Sequence, residues 1–337
     1  MKLSWEPYTL DLRHTWRIAH GASDQRHNVL AQIGAGEEAG IGEAAGVPHH
    51  GESQQGIIAY LEGVIDRDWD PFQMEDQLAS LPPGSAAARA AIDLALHDAL
   101  GKRLGQPLYR LLGLSPERAP QTSYTISIDE PAVMAEWAKA ADMPILKIKL
   151  GATDDEAILS AIRQVHHGPL RVDANAGWSR EHAAAIIPRL AQFDLEFVEQ
   201  PLPVGDIEGL RWLRAKKPGV PIFADENILT AHDVAAHAGS VDGVVIKLAK
   251  AGGLRGALRA IHTAHALDMQ IMLGSMVETS LAVTAAAHLS PLCDYADLDG
   301  PLMIRNDPFD GLRYDKARLV LPERPGLGVV RKPVLSR

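Results

Sequence analysis

The sequence predicts an α/β chain built on a closed (β/α)7β barrel, with an α+β unit in front of it. Three observations carry that expectation. Eight short β-rich runs recur at 123–128, 145–150, 170–174, 195–200, 221–225, 243–248, 270–273 and 295–298, and each of the first seven is followed by a helical stretch. Lys149, Asp173, Glu199, Asp225, Lys247, Leu273 and Asp297, all near run ends, follow one another at intervals of 24, 26, 26, 22, 26 and 24 residues. A near-constant period of single strand and single helix is the pattern of a parallel barrel. An open doubly wound sheet is the rival, but no glycine-rich phosphate fingerprint follows the first run. Residues 300–310 are rich in Pro and Asp, so the eighth strand lacks its helix.

The first 45 residues read as a strand meander. Tyr8 to His14 and His27 to Ile33 alternate apolar and polar residues, and Gly34, Gly36, Gly40, Gly42 and Gly46 mark turns. A polar loop is expected over 18–26, and a second over 47–53. Ala86 to Leu104 places Ala and Leu at helical spacing, and Gly105 stops that helix. A short helix begins after Pro107 and ends near Gly113, and 115–120 is a linker. The expected domains are a capping unit, 1–115, and a barrel, 121–305. Alternating Val and Leu in the tail, about 310–337, predict short strands that return to complete the cap.

Composition narrows the partners. The 337 residues include 33 Lys plus Arg and 43 Asp plus Glu, for a formal charge of −10, with no basic stripe. That balance disfavours nucleic acid. The single Cys293 excludes an internal disulfide and fits a reducing compartment. The N-terminal stretch has no apolar signal core, and no run approaches the roughly 20 apolar residues of a membrane span. The expectation is a cytoplasmic homo-oligomer that acts on a small molecule, without membrane or nucleic acid.

The chemistry gathers at the C-terminal strand ends, which form the working face of a β/α barrel. Lys147 and Lys149 are two apart on one strand, so they point the same way. They are either a solvated strand face or part of a site. Three successive strands then deliver Asp173, Glu199 and Asp225. Each carboxylate alone could cap a helix N-terminus. Three converging on one mouth would repel strongly without a cation, and all-oxygen donors suit a hard ion such as Mg²⁺. Lys149 on strand two and Lys247 on strand six lie across the mouth from each other. That arrangement suits proton abstraction beside a carboxylate: the metal stabilises an enediolate, one lysine removes the α-proton, and the other returns a proton from the opposite face. A base lysine needs a lowered pKa, which Lys147 and the cation would supply to Lys149.

At these residues the chain resembles the enolase superfamily, in its muconate-lactonising subgroup. Leu146-Lys147-Ile148-Lys149-Leu150, Val172-Asp173-Ala174-Asn175, Val198-Glu199-Gln200-Pro201, Ala224-Asp225-Glu226 and Ile246-Lys247-Leu248 match that subgroup's motifs in order. The helix from Ala90 to Asp98, followed by Gly101-Lys102 and Pro107-Leu108, matches its capping domain. The resemblance implies a (β/α)7β modified TIM barrel under a cap, Mg²⁺ at Asp173, Glu199 and Asp225, and Lys149 and Lys247 as the acid/base pair. Within the subgroup the chain resembles the dipeptide epimerases, isomerases whose Asp-x-Asp, here Asp297 and Asp299, binds the substrate's free α-ammonium. Sharing a strand face would let both chelate one ammonium.

Met272 to Ser280 resembles the epimerases' seventh strand, which makes Glu278 at most a substrate contact. Ser23 stands where the Ala-Glu epimerases place an Arg, with Arg26 three residues on. This argues against an acidic dipeptide unless Arg26 substitutes. His20, Asp24, His49 and His50 are further lid residues to consider. Asn227, Ala176 and Val245 also depart from the common pattern without removing a ligand. Muconate cycloisomerase, o-succinylbenzoate synthase and N-acylamino acid racemase share the machinery but need no carboxylate pair for an ammonium. A Schiff-base aldolase on either lysine and a non-catalytic metal-binding protein are the readings from other classes.

Overall fold

The computed structural model describes residues 1–18, 21–47, 50–151 and 154–333. Its first layer is an antiparallel sheet of β1 (Leu3–Ile18), β2 (Gly21–Ile33) and β3 (Gly40–Ala44). The β1–β2 hairpin is longer than the sequence predicts. Gly21 to Gln25, expected as loop, pairs with β1, and the register shifts between Asp11 and Trp16. The polar residues there read as a loop because that end of the hairpin stands away from the cap's apolar core. Cross-strand pairing still holds it.

The helix Ala86–Leu104 packs on this sheet. Ser85 starts it by accepting from the Ala88 N–H, and Gly105, at φ 63°, ends it in the left-handed conformation. The close approach has a reason in sequence: a Cβ on Gly40 or Gly42 would collide with the main-chain carbonyls of Ala95 or Ala91. Leu3, Val29, Ile33, Ile57, Leu61, Trp69, Ile92 and Leu96 close a core of their own.

The second layer is an eight-stranded parallel sheet in sequential order. Its strands are β4 (Tyr124–Ile126), β5 (Leu146–Lys149), β6 (Leu170–Asp173), β7 (Leu195–Glu199), β8 (Ile222–Ala224), β9 (Gly243–Lys247), β10 (Gln270–Gly274) and β11 (Tyr295–Asp297). A parallel bridge from Thr122 to Ala296, with the Ser123 N–H donating to the Ala296 carbonyl at 3.0 Å, joins the two edges and closes the barrel. The strands are short and apolar, as expected where both faces are covered. Among the described residues no α-helix follows β11; the 3-10 turn Gly300–Met303 takes its place.

Alternation along β6 illustrates how the barrel is filled. Leu170 and Val172 join the core under the helices, while Arg171 and Asp173 alternate with them. Arg171 is buried near the barrel floor, its guanidinium 5.0 Å from the Tyr295 ring centre and 5.7 Å from that of Phe197. Its charge is met by Glu196 at 2.7 Å and the Ala296 carbonyl at 2.7 Å. Phe197, Phe223, Val245 and Met272 pack beside it.

The tail does form short pairs, Phe309–Asp310 with Val330–Arg331 and Arg313–Asp315 with Arg318–Val320. It touches the cap through Leu327 N–H on Asp98 (2.8 Å) and Arg331 on Glu6 (2.6 Å). It touches the N-terminal end of the barrel through Ala317, whose carbonyl accepts from the Thr122 N–H just before β4. Two buried carboxylates from the cap also reach helix N-termini of the barrel layer. Glu43 accepts from Thr279 and from Ala282 N–H at the helix Ser280–Ala287, and Asp93 accepts from Leu254 N–H at the helix Leu254–Ala266. Helix N-termini favour negative charge, so both contacts tie cap to barrel. Among the described residues no helix is long and apolar enough to cross a membrane.

Candidate active site

The C-terminal strand ends and the β1–β2 hairpin enclose a cavity of about 650 Å³. Lys147, Lys149, Asn175, Asp225, Glu226, Lys247, Lys250, Asp297 and Asp299 line its floor. Trp16, Ser23, Gln25 and Arg26 come over it from the hairpin. The period-2 rule brings Lys147 and Lys149 to the inside of β5 together, and both are buried. The solvated-face alternative is thereby excluded.

The three carboxylates sit on adjacent strands and none is solvated. Asp173 Oδ2 lies 2.5 Å from Lys149 Nζ and 3.3 Å from Lys147 Nζ. Glu199 Oε2 lies 2.6 Å from Lys147 Nζ. Asp225 is held on both oxygens, by Lys247 at 2.7 Å and Lys250 at 2.5 Å. Lys149 is on the second strand of the eight and Lys247 on the sixth, so they face each other across the barrel, with the carboxylate strands between them. Among the described residues no three His, Cys, Asp or Glu side chains are already gathered about one point as a metal cage; each carboxylate is turned to a lysine. The donor set nevertheless fits a hard cation. Both Glu199 oxygens are buried without a hydrogen bond despite the short ion pair, as are Asn175 Oδ1 and Glu226 Oε2 beside it.

Electrostatics divide the group. Burial pushes Asp173 and Asp225 up, but Lys149 and Lys147 on the first, and Lys247 and Lys250 on the second, outweigh it and hold both below the usual carboxylate range. Glu199 goes the other way, raised by burial and by Asp173. Burial and Asp225 bring Glu226 up to about 7. Lys147 is held charged, well above the ordinary lysine value, because Asp297, Glu199 and Asp173 together overcome its burial. Lys247 is also raised, by Asp225 and Glu199 against burial. At Lys247 the carboxylate partner is in contact, and it outweighs both burial and the like charge of Lys147.

The Asp-x-Asp is placed differently from expectation. β11 ends at Asp297, and Asp299 lies beyond it at the start of the 3-10 turn, so they do not share a strand face. Both still line the cavity. Asp297 accepts from Ser123 Oγ at 2.7 Å and meets Lys147 at 2.8 Å. Asp299 accepts from Thr125 N–H at 2.6 Å, and burial and Asp297 raise it to about 7.

Glu278 does not line the cavity. It is buried behind it, accepts from Met276 N–H at 3.1 Å, and is pushed up to about 8 by burial and by Glu43. Its neighbours Met276 and Val277 are the wall residues. Arg26 does line the cavity and forms no ion pair among the described residues; it donates only to the adjacent Gln25 carbonyl. Ser23 is tied to Gln25. Asp24 lies on the outer side of the hairpin, bonded to Thr15, and His50 is not among the cavity residues. His20 and His49 lie outside the described residues. Lys250 was not foreseen, although a second lysine three residues past Lys247 was a legible signal.

With this geometry in place, comparison assigns the class. The Mandelate racemase / muconate lactonizing enzyme N-terminal domain matches residues 8–113, and the Enolase C-terminal domain-like family matches residues 131–333. The chain belongs to the enolase superfamily. It is 40% identical to the L-Ala-D/L-Glu epimerase of Bacteroides thetaiotaomicron, over 98% of this chain and 88% of that protein. It is 38% identical to an L-Ala-D/L-amino acid epimerase of Pedosphaera parvula, over 98% and 100%. The crystal structure of the Enterococcus faecalis dipeptide epimerase complexed with Mg and L-Leu-L-Tyr superposes with a TM-score of 0.91 at 32% identity, covering 97% of this chain and 98% of that one.

Proposed function

We propose that this chain is a Mg²⁺-dependent dipeptide epimerase that inverts the α-carbon of the C-terminal residue by 1,1-proton transfer between Lys149 and Lys247. The observation that carries the reading is the placement of these lysines on opposite strands, each in contact with a carboxylate of the set between them. The similarity to dipeptide epimerases supports it, and favours it over cycloisomerase, synthase or N-acylamino acid racemase activity.

In this reading Asp173, Glu199 and Asp225 hold the ion. A cation bound there supplies positive charge that stabilises the anion left on the substrate when its α-proton departs. Lys149 and Lys247 work from opposite faces of the α-carbon, one accepting a proton while the other donates. Each ammonium is held at the site by a carboxylate, Lys149 by Asp173 and Lys247 by Asp225. Lys147 stays protonated and tunes Lys149. Asp297 and Asp299 take the dipeptide's free ammonium, with Ser123 and Thr125 orienting their oxygens. Ser23 and Arg26, which line the cavity, meet the rest of the substrate from the hairpin side, and Glu278 acts through Met276 and Val277. Residues 1–115, with the tail from about 310, serve as the cap over the 121–305 barrel. The enzyme works in the cytoplasm as a homo-oligomer.

The test is a dipeptide library incubated with enzyme and Mg²⁺ in D₂O. Mass spectrometry is expected to find one deuterium on the C-terminal residue of the accepted dipeptides, with both configurations appearing. Absence of label from every free-amine dipeptide would sink the proposal.

A further inference from the structure

Lys250 has no part in the two-base scheme, yet it is one of the most committed side chains in the cavity. It is 3% exposed and lies on the short helix Leu248–Ala251 that follows β9. Its ammonium donates to Asp225 Oδ1 at 2.5 Å, to the Asp225 main-chain carbonyl, and to the Val245 carbonyl at 3.4 Å. Lys247, one helical turn away in sequence, takes the other carboxylate oxygen, Oδ2, at 2.7 Å. Gln200 Oε1 accepts from the Asp225 N–H at 2.9 Å, so the backbone of Asp225 is fixed from both sides.

We infer that Lys250 is the positioning residue for Lys247: by occupying Oδ1 and the main-chain carbonyl of Asp225, it turns Oδ2 to Lys247 and aims that ammonium into the cavity. The inference rests on the proposed two-base reading and adds an asymmetry to it. A carboxylate gripped on one oxygen and at its own carbonyl cannot rotate about its Cβ–Cγ bond. Lys149 gains nothing comparable from Lys250, since its contact is Asp173 on another strand. Removing Lys250 frees Asp225 to rotate and lets Lys247 follow it. The loss falls on the configuration whose α-proton faces Lys247.

That asymmetry is measurable. Deuterium wash-in is followed separately from the L- and D-configured forms of one accepted dipeptide, in the wild type and in Lys250→Met, Lys250→Gln and Lys250→Arg. Lys149→Ala and Lys247→Ala are the controls that assign each configuration to a lysine. In Lys250→Met, exchange from the Lys247-facing configuration is expected to fall by about 10- to 100-fold, and exchange from the Lys149-facing one by less than about threefold. Lys250→Gln keeps a donor and guards against a misfolded Met variant; it is expected to show the same asymmetry in smaller measure, with Lys250→Arg nearest the wild type. Mg²⁺ affinity, read by calorimetry, is the second measurement. Equal loss from both configurations with weakened Mg²⁺ binding would overturn the inference, because Lys250 would then serve only the ion or the fold. Unchanged exchange in both would overturn it too. If the two alanine controls fail to separate the configurations, the two-base reading itself fails, which is a different result.

Discussion

Lys147 Nζ lies 2.8 Å from Asp297 Oδ2, which joins the second strand of the barrel to the eighth. The same ammonium reaches Glu199 at 2.6 Å and Asp173 at 3.3 Å. One buried cation therefore bridges three buried carboxylates and couples the proposed ammonium subsite to the proposed metal ligands.

Truncating that cation leaves the buried carboxylates facing one another without it. Lys147→Ala is expected to destabilise the fold by about 3–5 kcal/mol, the cost of breaking a buried ion pair by removing one partner. Urea unfolding of the two proteins measures it. Unchanged stability, with only a shifted pH–rate profile, would mean that tuning Lys149 is all that Lys147 does.

Asp297→Asn keeps the shape of the side chain and its bond to Ser123 but loses the charge. Turnover of free-amine dipeptides is expected to fall by roughly 2–5 kcal/mol in transition-state stabilisation, as for a buried hydrogen-bonded charge pair losing one partner. N-acylated dipeptides, which carry no ammonium, should change far less. Steady-state kinetics on both classes decides, and an equal loss on both would remove the ammonium role.

Chelation with EDTA is expected to abolish epimerisation and Mg²⁺ to restore it. Glu199→Gln should weaken Mg²⁺ binding measured by calorimetry, since its buried oxygens accept no hydrogen bond and only Oε2 has an ion-pair partner, Lys147. Activity that survives chelation, with borohydride trapping a carbonyl substrate on a lysine, would point to Schiff-base chemistry instead.

Glu278 makes stability pH-dependent. Its carboxyl has an ordinary value of 4.5 and is raised to about 8 in the folded chain by burial and Glu43. The folded state therefore binds the proton more tightly than the unfolded one. The resulting stability is fully present below 4.5 and is lost as pH rises through about 8. Glu278→Gln cannot ionise, so its unfolding free energy should fall less than the wild type's over that window. Parallel curves in urea titrations at several pH values would contradict this.

The sequence by itself determined the barrel, its missing eighth helix, the inward pair Lys147 and Lys149, and the order of carboxylates between Lys149 and Lys247. Those features are local or periodic: strand alternation sets the face, and a constant strand–helix repeat sets which ends share a mouth. Only the tertiary structure decided which charges touch. Lys147 and Asp297 are 150 residues apart and meet because the barrel closes. The grip of Lys250 on Asp225, the displacement of Glu278 behind the wall, and the docking of Glu43 and Asp93 onto distant helix N-termini have the same origin. In a buried site each charge must find a partner. Which partner it finds depends on the stagger of strands and the length of side chains across the barrel, and neither is written in the spacing of residues along the chain.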